Sequence, residues 1–127
     1  MEKVAVIGGG QMGSQIAALS AMSGHETSIF DSNKEYLDSK LVFTKENIEN
    51  LVSKDLIKKE SLDNFNQNLK VYDSLETVVD DKTFVIEAVV ERFDVKKEIF
   101  STLSKILDED VVLATNSSFI AASEIAQ

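Results

Sequence analysis

The run Lys3-Val4-Ala5-Val6-Ile7-Gly8-Gly9-Gly10-Gln11-Met12-Gly13 decides the fold. Its first five residues are mostly apolar and β-branched and read as a short buried strand. Three glycines follow at once. Beyond them Met12, Ile16 and Leu19 recur with alanines at helical spacing through residue 22, and Gly24 stands just past the end as a stop signal. Gly8, Gly10 and Gly13 fit G-x-G-x-x-G between a strand and a helix, the context in which that pattern carries weight. Gly8 permits a tight turn, Gly10 lets the backbone approach a pyrophosphate, and Gly13 lets the helix pack closely on the strand. The first helical turn, with Gln11 and Met12, offers backbone N–H groups and positive dipole to phosphates.

Working outward, residues 26–30 (ETSIF) form a second strand ending at Asp31, eighteen residues past Gly13. That is where a carboxylate can accept bonds from the adenosine ribose hydroxyls. It would repel a 2′-phosphate, and no arginine follows it: the chain's single arginine is Arg92. The pattern therefore points to NAD rather than NADP. The competing reading is an ordinary strand–helix turn with a surface aspartate capping the next helix.

The rest of the chain alternates in the same way. A long amphipathic helix is predicted over 33–55, with Leu37, Leu41, Ile48 and Leu51/Val52 on one stripe, and a second helix over 59–67. A weak strand (68–71), a short helix (75–79), a strong strand (84–90, FVIEAVV), a helix (95–107) and a strand (111–114) follow. Ser118 opens a further helix. Apolar strands separated by amphipathic helices imply a parallel sheet covered on both faces. Right-handed crossovers then give an α/β, Rossmann-type doubly wound sheet of order 3-2-1-4-5, with a helical pair inserted after the second strand. With 127 residues, no linker-like segment and no repeat, residues 1–127 read as one NAD-binding domain.

Composition excludes several functions. A net charge of −9 argues against nucleic acid as a partner. The chain has no cysteine, hence no thiol nucleophile and no thiolate metal site, and no metal is expected. No run is long enough for a membrane span, and the N-terminus lacks the features of a secretory signal, so the expected location is cytoplasmic.

Four stretches carry a resemblance to a known family. They are VAVIGGGQMGSQIA (4–17), IFD (29–31), FVIEAVVERFDVKKEIF (84–100) and LATNSSFIAASEIA (113–126). In order and spacing the chain resembles the nucleotide-binding domain of the L-3-hydroxyacyl-CoA dehydrogenases, the 3-hydroxybutyryl-CoA dehydrogenases among them. The resemblance implies reversible hydride transfer between NAD and the 3-hydroxyl of an acyl-CoA, a step of fatty acid metabolism. It implies cofactor contacts from Glu91, Lys96 and Asn116. It implies that Asn116 and Ser118 face the nicotinamide and the substrate, with Ser118 bonding the substrate's 3-oxygen. It also implies a homodimer for the full-length family.

Read from the residues alone, these positions stay open. Asn116 and Ser118 follow a strand, where ligands bind in open sheets, yet Ser117 or Ser118 would equally cap a helix. Glu91 and Lys96 read equally as solvated charges at a helix start. Glu87, inside an apolar run, must pair or lie near the strand end, and reads as a packing position. Lys40, Lys45, Lys54, Lys58 and Lys59 could meet coenzyme A phosphates, with Lys54 the choice, or form a solvated face beside their acidic neighbours. The family's catalytic histidine has no counterpart here. His25 lies in a turn before the second strand, so the chain is expected to be truncated before the base and to bind NAD without turnover. Phe119 departs from the family, which more often has a serine there. The alternatives are an NAD-dependent dehydrogenase of a non-CoA hydroxy or sugar acid, and a non-catalytic NAD-binding module.

Overall fold

The computed structural model describes residues 2–89 and 93–115. The elements are β1 (Lys3–Ile7), α1 (Gln11–Met22), β2 (Glu26–Phe30), α2 (Lys34–Ser53), α3 (Lys59–Asn68), β3 (Leu69–Val71), α4 (Leu75–Val79), β4 (Phe84–Glu87), α5 (Phe93–Ile106) and β5 (Val112–Thr115). The five strands form one sheet in the order β3-β2-β1-β4-β5, as the alternation predicted. All four pairings are parallel, with Val6 opposite Ile29 on one side and opposite Ile86 on the other.

Strand periodicity splits the core in two. Ala5 and Ile7 pack on one face with Val78 and Val79 of α4, Val85 of β4 and Leu103 of α5. Val4 and Val6 pack on the other with Ala17 of α1, Ile29 of β2 and Leu37 of α2. Helices therefore cover both faces. A third cluster joins Ala18 and Ala21 of α1 to Ile48 of α2 and Phe65 of α3, which seats the inserted helical pair on the outer side of α1. Alanine on α1 makes that seat possible, because small side chains let three helices approach one another.

Element ends follow local hydrogen bonds. Gly24, at φ +95°, stops α1, and its N–H donates to Ala21 O. Asn33 caps α2 by accepting the Tyr36 N–H at 3.0 Å, so the helix begins at Lys34. It ends at Ser53 rather than at 55, where Asp55 turns to φ 57°. Two strands are shorter than expected: β3 begins at Leu69 because α3 runs through Asn68, and β4 stops at Glu87, not at Val90. The buried Glu87 carboxylate accepts the Val89 N–H at 2.7 Å, which takes that donor away from strand pairing. Val90 lies outside the described residues, as does the expected helix from Ser118.

Candidate functional site

Strand order reverses at β1, whose neighbours β2 and β4 lead the chain in opposite directions. In such sheets the crevice beyond the carboxyl ends of the strands is the ligand site. Here it is a depression of about 330 Å³. Its floor is Ile7, Gly8, Gly10, Gln11 and Met12, and its sides include Asp31, Tyr36 and Ala88.

The glycines of the turn do different work. Gly8 sits at φ +117°, and a Cβ there would lie 2.5 Å from Ala88 O. A Cβ on Gly13 would stand 1.9 Å from Gly8 O, so α1 rests directly on the turn. Gly10 is the opposite case. Its φ of −72° suits any residue, and among the described residues a Cβ there meets only the Tyr36 hydroxyl, at 3.8 Å. The space beside Gly10 is thus open on the crevice side. Gly9, which the motif leaves free, is crowded: a Cβ there would lie 2.6 Å from Leu37 Cδ1 and 3.0 Å from Asp31 Cβ.

Asp31 closes the other wall. Its Oδ2 accepts the Gly9 N–H at 2.6 Å and its Oδ1 accepts the Asn33 N–H at 2.8 Å. The carboxylate links the glycine turn to the start of α2 and keeps lone pairs for further donors. At the turn, Gly10 has no side chain to cap α1, and no acidic residue stands in the first helical turn. The first-turn N–H groups are left to a ligand, and nothing negative on that turn opposes a phosphate. Open space at Gly10, uncapped N–H donors and a carboxylate at the end of β2 fit the diphosphate and ribose of a dinucleotide.

The family model for the NAD-binding domain of 3-hydroxyacyl-CoA dehydrogenase matches residues 3–127. The chain belongs to that family. Its cofactor is NAD. A 3-hydroxybutyryl-CoA dehydrogenase of Clostridioides difficile is 34% identical over 128 residues, covering 98% of this chain and 44% of that protein. A probable 3-hydroxyacyl-CoA dehydrogenase of Caenorhabditis elegans is 30% identical over 131 residues, covering 100% of this chain and 44% of that protein. The crystal structure of 3-hydroxybutyryl-CoA dehydrogenase from Escherichia coli K12 superimposes with a TM-score of 0.92 at 29% identity, covering 98% of this chain and 26% of that one. The chain spans less than half the length of these relatives.

Within this NAD-binding domain the structure gathers Gly8, Gly10, Gln11, Met12 and Asp31 at the crevice. Gly13 is not on its wall but beneath it, under Gly8. Glu91, Asn116 and Ser118 lie outside the described residues; Lys96 lies in α5, where only its backbone is described. His25 lies at the opposite end of the sheet, where its Nδ1 accepts the Glu2 N–H at 3.0 Å.

A second depression, about 500 Å³, runs between α1 and α2 and shares Gln11 with the crevice. Its apolar lining includes Leu19, 62% exposed, and Phe43, 60% exposed. Lys40 lines this groove. Lys54 does not; it caps the far end of α2. Sequence reasoning missed Gly9 and Tyr36, whose roles come from contacts with residues far from the motif. The available signal was the middle glycine of the run, which the motif does not require.

Proposed function

We propose that the whole protein interconverts (S)-3-hydroxyacyl-CoA and 3-ketoacyl-CoA, and that this chain supplies its NAD-binding half. The observation that carries the reading is the pairing of the open Gly10 with the Asp31 carboxylate across one crevice. NAD accepts or returns the hydride when bound. This chain's part is to hold the diphosphate on the α1 N-terminus and the ribose at Asp31, where a 2′-phosphate would meet the same negative charge.

The remaining assignments belong to the same reading. Glu91, Lys96 and Asn116 contact the cofactor, and Asn116 and Ser118 address the substrate's 3-oxygen. The α1–α2 groove is suited to the apolar arm of an acyl-CoA because it opens beside Gln11, next to the cofactor crevice. Lys54, exposed at the end of α2, takes a coenzyme A phosphate. The whole protein is a cytoplasmic homodimer that binds neither nucleic acid nor membrane. Among the described residues no helix is long and apolar enough to cross a membrane.

The test is an NADH fluorescence titration with NADPH alongside, followed by acetoacetyl-CoA binding to wild type, Phe43→Glu and Lys54→Ala. Saturable NADH binding with much weaker NADPH binding supports the cofactor half. Loss of acetoacetyl-CoA binding in Phe43→Glu supports the groove, and equal binding by Lys54→Ala removes the coenzyme A role of Lys54.

A further inference from the structure

We propose that Tyr36 is a further cofactor-binding residue whose phenol hydroxyl donates a hydrogen bond to the diphosphate of the dinucleotide on the open side of Gly10. This rests on the NAD-binding reading of the crevice and adds a residue to it.

Three observations converge on the hydroxyl. Tyr36 lines the crevice together with Gly10, Gln11, Met12 and Asp31. Its oxygen lies 3.8 Å from where a Gly10 Cβ would stand, a contact distance without a clash, and among the described residues no other non-neighbouring atom comes within 4 Å of that point. The residue is 43% exposed, and its hydroxyl makes no hydrogen bond among the described residues. Its N–H is taken by Asn33 Oδ1, and its ring lies 5.4 Å from Lys40 Nζ. The cap fixes the start of α2, and the Lys40 ammonium beside the ring favours the rotamer that puts the phenol tip at the turn.

The chemistry selects the diphosphate over the ribose. Asp31 is an acceptor and suits ribose hydroxyls, which donate. Tyr36 offers an O–H to the place where Gly10 lets a phosphate come close. A hydroxyl donating to an anionic oxygen makes a charge-assisted bond, stronger than a neutral one. Lys40 beside the ring adds positive potential in a chain whose net charge is −9.

The test is Tyr36→Phe, which keeps the ring and the Lys40 contact and removes only the hydroxyl. Wild type and variant are titrated with NADH and with ADP, and thermal melts check the fold. The expected result is about tenfold weaker binding of both ligands by the variant, with an unchanged melt. Equal affinity of variant and wild type for NADH overturns the proposal. So does a loss with NADH that is absent with ADP, because the contact would then lie outside the adenosine diphosphate half. Wild type that binds neither ligand would instead sink the cofactor reading of the crevice itself. Tyr36→Ala, which also frees Lys40, should lose at least as much affinity as Tyr36→Phe; an Ala variant that binds like wild type overturns the proposal as well.

Discussion

Asp31 Oδ2 lies 2.6 Å from the Gly9 nitrogen, so the carboxylate proposed to bind the ribose also ties down the glycine turn. Its other oxygen holds the Asn33 N–H. In the proposed reading, specificity and local stability therefore share one side chain. Asp31→Ala should cost about 2 kcal/mol, because two backbone donors lose a charged partner. NADH affinity should fall with it. Asp31→Asn retains one acceptor oxygen and should cost less. It also removes the charge, so the ratio of NADH to NADPH affinity should drop towards unity. Urea melts and paired titrations on both variants check this; an unchanged ratio in Asp31→Asn would count against the charge argument.

Gly10 and Gly13 should answer the same substitution in opposite ways. Gly13→Ala places a methyl 1.9 Å from Gly8 O, a backbone atom that cannot move aside. A loss of about 3 kcal/mol or more is expected, with NADH binding lost alongside. Among the described residues Gly10→Ala meets no non-neighbouring atom closer than 3.8 Å, and it sits at an ordinary φ. Its stability should stay within about 0.5 kcal/mol of wild type. NADH binding should weaken at least about tenfold, since the methyl occupies the approach of the diphosphate. Melts and titrations of the two variants side by side separate the roles.

Gly9 and Leu37 should be energetically coupled although 28 residues separate them. Leu37 is fully buried, and Leu37→Ala should cost about 2–5 kcal/mol through the cavity it leaves. Gly9→Ala should cost about 1–3 kcal/mol by crowding Leu37 Cδ1. In the double variant the methyl enters the cavity, so the combined loss should fall short of the sum by about 1 kcal/mol. A double-mutant cycle from urea denaturation measures the difference, and strict additivity would contradict the contact.

Lys3 and Asp81 form an exposed ion pair at 2.6 Å, joining the start of β1 to the turn before β4. Lys3 holds the Asp81 carboxyl below its ordinary value, and Asp81 raises the Lys3 ammonium. Asp81's share of the stability is present above the ordinary aspartate range and is lost as pH falls through its lowered folded value. Lys3's share is present below the ordinary lysine value and is lost as pH rises through its raised one. Asp81→Asn tolerates the left-handed φ of 59° and removes the charge. It should unfold at slightly lower urea than wild type near neutral pH. The gap should close at both pH extremes and shrink in high salt, because both partners are solvated.

Much of this was legible in the linear sequence. Residues 3–7 and 26–30 declared themselves as strands because β-branched apolar runs are local features. Gly24 and Asn33 marked helix boundaries for the same reason. The order of the sheet followed from alternation and crossover handedness, and Gly8 and Gly13 kept the steric roles that their spacing assigned. The end of β4 was not legible: an apolar run to Val90 looks like strand throughout, and a carboxylate folding back onto Val89 is a three-dimensional event. Lys54 was the chosen lysine, while packing of α2 on α1 put Lys40 at the groove; the Lys40–Tyr36 contact is an i,i+4 pair of α2 and was legible from spacing.

By itself, then, the sequence determined the layers, the strand order and the kind of ligand, because periodicity and glycine placement act over a few residues. Only the tertiary structure decided which side chains meet over the turn. Asp31 bonding to Gly9, Leu37 pressing on Gly9 and the Tyr36 hydroxyl standing over Gly10 all join segments more than twenty residues apart. Such contacts depend on how α2 settles against β1 and β2, and that is set by the packing of Leu37 with Val4, Val6, Ala17 and Ile29 rather than by any local motif.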